Sequence, residues 1–136
     1  MPGDARPLDG LRLLVVEDEA LVAILIEDAL LDLGCVVVGP AGSVAQALAL
    51  LDRETVDGAV LDVNLGADER SYPIAEALRA LGIPFIFVTG YGEEDVDSRY
   101  AAVEVLQKPF DARTLERSVA ATLVRPAPGG RRKRRR

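Results

Sequence analysis

Five short apolar runs recur along the chain, and they constrain its fold more than any other feature. They are Leu11 to Val16, Cys35 to Gly39, Gly58 to Asp62, Pro84 to Val88 and Val103 to Gln107. Each is aliphatic, β-branched or aromatic with little polar interruption, as expected for strands covered on both faces. Helical patterns fill the gaps. Ala20 to Leu33 is followed by a terminating Gly34, with Leu21, Ile24, Leu25 and Leu31 expected toward the core and Glu27, Asp28 and Asp32 on the polar side. Ser43-Val44-Ala45-Gln46 has capping-box spacing and opens a helix to about Arg53. Pro73 suits the first turn of a helix reaching Leu81, before Gly82. Glu93 to Ala102 is a short, acidic fourth candidate. Phe110 and Leu115 bracket Asp111 like a staple around a cap, opening a fifth helix to about Val124. Strands alternating with helices across short loops imply parallel βαβ units with right-handed crossovers.

The strand ends carry the chemistry. Glu17 and Asp18 follow the first run, Asp62 ends the third, Thr89 follows the fourth and Lys108 follows the fifth. In a sheet of order 2-1-3-4-5 the site lies beyond the carboxyl ends, where strand order reverses between strands 1 and 3. Glu17, Asp18 and Asp62 would then meet there. A carboxylate such as Asp62 can attack phosphorus and hold a phosphoryl group. Glu17 and Asp18 are hard oxygen ligands suited to Mg²⁺, and the backbone carbonyl of Asn64 can supply another. Lys108 can pair with a phosphoryl oxygen, and Thr89 offers a hydroxyl donor. Each feature alone has a plain reading as loop, cap or turn chemistry; four strand ends of the required type together favour the phosphoryl site.

Composition narrows the alternatives. The chain has 136 residues and only 4% aromatics in a 49% apolar composition, so one aliphatic-cored domain is expected. One cysteine, Cys35, excludes an intramolecular disulfide, and with no histidine a zinc centre is disfavoured. Cys35 itself reads as a small core residue. The net charge of −6 conceals an asymmetry: Arg131 to Arg136 are all basic, and residues 1–130 carry −12. Nucleic-acid binding through that tail is a weaker alternative, because the acidic body opposes it. No apolar stretch reaches the roughly 18 residues of a membrane span, and the first ten residues lack signal-peptide character, so a cytoplasmic protein is expected. The expected layout is a flexible arm over 1–10, one domain over 11–124 and a disordered basic tail over 125–136. A dinucleotide or nucleoside-triphosphate enzyme fits poorly, since the Gly-rich phosphate motifs are absent after the first strand.

Val15-Val16-Glu17-Asp18-Glu19, Leu61-Asp62-Val63-Asn64, Thr89-Gly90 and Lys108-Pro109-Phe110 resemble the signature of response-regulator receiver domains. The resemblance spans about Leu11 to Leu123. It implies a flavodoxin-like, three-layer α/β/α fold with five strands in the order 2-1-3-4-5 and five helices. It implies that Asp62 accepts phosphate, that Glu17, Asp18, Asp62 and the Asn64 carbonyl hold Mg²⁺, and that Thr89 and Lys108 contact the phosphoryl oxygens. It also implies a cis Lys108-Pro109 bond. Pro84 to Gly92 is similar to the FAT-GUY motif of stand-alone receivers, with Val88 at the Ala position. That subgroup implies a histidine kinase of HWE/HisKA2 type, or a histidine phosphotransfer protein, as donor, often in a general stress response. A phosphoacceptor rather than an enzyme is expected, signalling to a downstream protein through about 93–124.

The chain departs from the wider family at two positions. Gly66 stands where many receivers have proline, and Val105 where many have a switching aromatic. Tyr91 is a candidate replacement for that ring. The Val105 departure keeps a second reading open, a receiver-shaped binding module that works without phosphate.

Overall fold

The computed structural model describes residues 8–66, 68–90 and 96–123. Five parallel strands form one sheet: β1 (Arg12–Val16), β2 (Val36–Ala41), β3 (Gly58–Asp62), β6 (Phe85–Thr89) and β7 (Val105–Gln107), in the order β2-β1-β3-β6-β7. Two further strands, β4 (Asn64–Leu65) and β5 (Glu69–Arg70), form a separate antiparallel pair. With that pair set aside, the order is the expected 2-1-3-4-5. Four α-helices are present among the described residues: α1 (Ala20–Asp32), α2 (Val44–Arg53), α3 (Tyr72–Leu81) and α4 (Ala112–Thr122). The arm over 1–7, Tyr91 and the tail from residue 124 lie outside the described residues.

Alternation along the strands builds two cores. Leu14, Val16, Ala59, Leu61, Phe85 and Phe87 face α2 and α3, where they meet Ala47, Ile74, Ala75 and Leu78. Leu13, Val15, Val60, Ile86, Val88 and Leu106 face α1 and α4, where they meet Ile26, Ala29, Leu30, Leu115 and Val119. Every residue of β3 and β6 is buried. These two strands carry Asp62 and Thr89, so the sheet's best-packed members hold the residues at its carboxyl edge.

Local signals read from the sequence act as expected at several ends. The Ser43 hydroxyl accepts from the Gln46 amide at 3.2 Å, while Gln46 Oε1 accepts from the Gly42 amide at 2.8 Å. Asp111 Oδ1 accepts from the Thr114 amide at 2.8 Å, which also holds the Asp111 carboxyl below its ordinary pKa. Gly82 ends α3 in the left-handed region at φ 72°.

Four expectations are corrected. The loop from Val63 to Ser71 contains the β4–β5 hairpin, with Asn64 opposite Arg70 and Leu65 opposite Glu69. Its turn explains Gly66, whose φ of +75° is closed to proline. The second strand does not end at Gly39-Pro40; it runs through a cis Gly39–Pro40 bond to Ala41. Proline is tolerated because β2 is an edge strand, and the register shifts so that Val16 pairs with Ala41. The expected helix over Glu93 to Ala102 is described only from Val96, where Ser98–Tyr100 form a single 3-10 turn.

The fourth correction concerns α1. Its buried residues are Ala23, Ile26, Ala29 and Leu30. Leu21, Ile24 and Leu31, expected in the core, are exposed by 82%, 51% and 53%. The helix is apolar on nearly every side, so periodicity could not orient it.

Candidate functional site

Parallel pairing brings four strand ends to one edge. β1 delivers Glu17 and Asp18, β3 ends on Asp62, β6 ends on Thr89, and β7 leads into Lys108. The shifted register at β2 matters here, because the Glu17 amide donates to the Ala41 carbonyl at 2.9 Å. That fixes the first residue past β1. The Lys108 amide likewise donates to the Thr89 carbonyl at 2.8 Å, joining the ends of β6 and β7. Lys108-Pro109 is cis.

Carboxylate oxygens of Glu17, Asp18 and Asp62 lie within 4.8 Å of one another. Glu17 and Asp62 are buried and Asp18 is exposed. The Asn64 amide donates to Asp62 Oδ1 at 3.2 Å, and the Glu19 amide donates to Glu17 Oε2 at 3.0 Å. Lys108 Nζ reaches into the cluster, 3.0 Å from Asp62 Oδ2, 3.4 Å from Glu17 Oε1 and 2.8 Å from Glu19 Oε1. Thr89 is fully buried on the neighbouring strand.

The electrostatics are those of an acidic cup with one cation. Burial and the neighbouring Asp62 carboxylate push the Glu17 carboxyl up to about 7. Burial alone would lower the Lys108 pKa; the carboxylates of Glu19, Asp62 and Glu17 outweigh it and hold the ammonium above its ordinary value. Glu17 Oε1 is buried without a hydrogen-bond partner among the described residues. A buried carboxylate oxygen in that state, beside two other carboxylates, fits a hard divalent cation. When bound, such a cation offsets the repulsion between a carboxylate and an incoming phosphoryl group.

The family model of the response regulator receiver domain matches residues 13–120. The chain belongs to the response regulator receiver family. Solved structures agree. The solution structure of SdrG from Sphingomonas melonis Fr1 is 46% identical over 82% of this chain and 95% of its own, with a TM-score of 0.74. The BeF3-activated conformation of SdrG from Pseudomonas melonis Fr1 is also 46% identical, over 81% and 93%, with a TM-score of 0.71. The response regulator PhyR from Brucella abortus is 28% identical over 87% of this chain and 49% of its own, with a TM-score of 0.77. No curated protein matches. The resemblance carried by Glu17-Asp18, Asp62, Thr89 and Lys108 is thus a family membership, and the acidic pocket of this receiver fits a phosphoacceptor site.

Two features of the receiver escaped the sequence. Glu19 stood only as the last residue of the Val15-Val16-Glu17-Asp18-Glu19 signature, with no role of its own, yet it makes the shortest contact to Lys108. Its distance from Lys108 along the chain left no signal. The second is an aromatic cluster beside Val105. Val105 pairs with Phe87 in register. Tyr72 stacks on Tyr100 at 5.4 Å, and Phe85 and Phe87 meet Tyr100 edge-on. The Tyr100 hydroxyl bonds Glu76, and burial followed by that bond pushes the phenol up to about 12. Aromatic mass lies next to the valine rather than at it.

Proposed function

We propose that this receiver accepts a phosphoryl group on Asp62 and signals by protein contacts in a two-component phosphorelay. The observation that carries the reading is Lys108 Nζ at 3.0 Å from Asp62 Oδ2, within an acidic trio whose Glu17 and Asp62 are buried and whose Asp18 is exposed. An Asp62 oxygen attacks phosphorus, and the bond from phosphorus to the donor breaks. The departing electron pair stays on the donor's imidazole nitrogen or carboxylate oxygen. Glu17, Asp18, Asp62 and the Asn64 carbonyl would hold Mg²⁺. Lys108 and the Thr89 hydroxyl would take the phosphoryl oxygens, answering the charge that gathers there. The chain acts as phosphoacceptor rather than enzyme. The motif over Pro84 to Gly92 supports an HWE/HisKA2-type histidine kinase, or a histidine phosphotransfer protein, as donor, and a cytoplasmic general stress pathway as setting. A downstream protein would bind through about 93–124, of which 96–123 are among the described residues.

The test is incubation with acetyl phosphate and Mg²⁺, followed by intact mass and peptide mapping. One added phosphoryl group on Asp62, absent when the metal is chelated, is expected. Stable label at another residue, or none, would defeat the reading.

The exposed stripe of α1 supports a donor-docking role. The helix begins at Ala20, directly after the acidic loop, and Leu21 and Ile24 stand on its outer side. A protein donor approaching Asp62 would cover them, whereas acetyl phosphate would not. Leu21→Glu is therefore expected to slow phosphotransfer from the histidine kinase at least tenfold, as for loss of a buried apolar anchor, and to leave acetyl phosphate labelling unchanged. Equal loss with both donors would place the effect in the fold instead.

A further inference from the structure

Glu19 occupies the N-cap position of α1, yet its side chain makes no cap hydrogen bond. Acidic groups at helix starts ordinarily complement the exposed amides there. Here the carboxylate turns away and receives Lys108 Nζ at 2.8 Å, a contact across 89 residues of sequence. It is closer than either Asp62 at 3.0 Å or Glu17 at 3.4 Å. The side chain of Glu19 is 61% exposed, so it stands at the rim, while those of Glu17 and Asp62 lie within.

We infer that Glu19 is a positioning residue that reserves Lys108 in the unphosphorylated receiver and sets how readily the site takes a phosphoryl group. The inference rests on the phosphoacceptor reading of Asp62. An arriving phosphoryl oxygen must draw the ammonium away from Glu19 before it can pair with it. Glu19 also places a negative charge where an anionic donor enters. Both effects act in one direction. The carboxylate restrains loading of the site, and its exposure keeps the effect moderate.

The experiment compares wild type, Glu19→Gln and Glu27→Gln in the full chain. Glu27→Gln removes the same charge from the same helix without a contact to Lys108. Two readouts are taken with Mg²⁺ present: the rate of acetyl phosphate labelling, and the dissociation constant for beryllofluoride as a phosphoryl mimic. Glu19→Gln is expected to label about two- to fivefold faster and bind beryllofluoride tighter by a similar factor. Its unfolding midpoint should stay within a few degrees of wild type, because the side chain caps nothing and its pair with Lys108 stands exposed at the rim. Glu27→Gln should match wild type in both readouts. Equal rates and affinities for Glu19→Gln and wild type would overturn the inference, as would an equal gain from Glu27→Gln, which would reduce the effect to net charge. If wild type neither labels nor binds the mimic, the phosphoacceptor reading itself fails, and the role of Glu19 with it.

Discussion

Asp62→Asn is expected to take no acetyl phosphate label while unfolding at a higher temperature than wild type in metal-free buffer near pH 8. The loss follows from chemistry. An amide oxygen is a poor nucleophile toward phosphorus, and no other described carboxylate is both buried and within 3.0 Å of Lys108 Nζ. The gain follows from the same geometry. Asp62 is 4% exposed and sits beside Glu17 at 3%, so two carboxylates share a desolvated space. Their mutual repulsion is one cause of the raised Glu17 pKa. The variant gives up the Lys108–Asp62 pair, but Lys108 keeps Glu19 and Glu17. Replacing a crowded buried charge with a neutral isostere is expected to add about 1–2 kcal/mol, which raises the midpoint by several degrees. Mass spectrometry and thermal unfolding on the same samples check both halves. A destabilised, unlabelled variant would mean that the carboxylate holds the edge together, and the loss of label would then say little about chemistry.

That opposition between function and stability explains why the site was legible from the sequence at all. A strand buried on both faces has no packing reason to end in a carboxylate. Asp62 after Val60 and Leu61, and Glu17 after Val15 and Val16, break the local rule at the points where the fold gathers its strand ends. Capped helix starts were equally legible, because Ser43 and Asp111 bond amides only three residues away. Long-range choices were not. The outward turn of Leu21, Ile24 and Leu31 depends on which side of α1 meets α4 and the sheet, and a helix apolar on most sides does not encode that choice locally. The β4–β5 hairpin is too short for an alternating pattern; its only trace was Gly66. Extension of β2 through Pro40 depends on its edge position, which is a property of the sheet. Glu19 and Lys108 meet only because β1 and β7 end at the same edge.

The second large effect concerns pH and metal together. In metal-free buffer, stability is expected to fall as pH rises from about 5 to about 7.5, and millimolar Mg²⁺ should cancel the fall. Glu17 has an ordinary carboxyl pKa of 4.5 and is pushed up to about 7 in the folded chain, by burial first and by Asp62 second. Between those values the folded state holds a proton that the unfolded state has released. Stability therefore declines with rising pH through the window and levels off above about 7, once Glu17 is ionised in both states. The total is on the order of a few kcal/mol. Asp97 and Asp111, whose pKa values are lowered by bonds from Arg99 and Thr114, act elsewhere. Their contribution is present above the ordinary carboxylate range and fades only in stronger acid. Mg²⁺ requires ionised ligands, so its binding should tighten with pH over the same window and release a proton. At a hundredfold excess over its dissociation constant it adds about 2.7 kcal/mol, enough to offset the penalty. Thermal unfolding across a pH series, with chelator or with Mg²⁺, measures both curves. Glu17→Gln should flatten the metal-free curve and remove most of the Mg²⁺ response. A metal-free curve that climbs from pH 5 to pH 7.5 would show that Glu17 is not a strained acid, and that no cation is needed to relieve it.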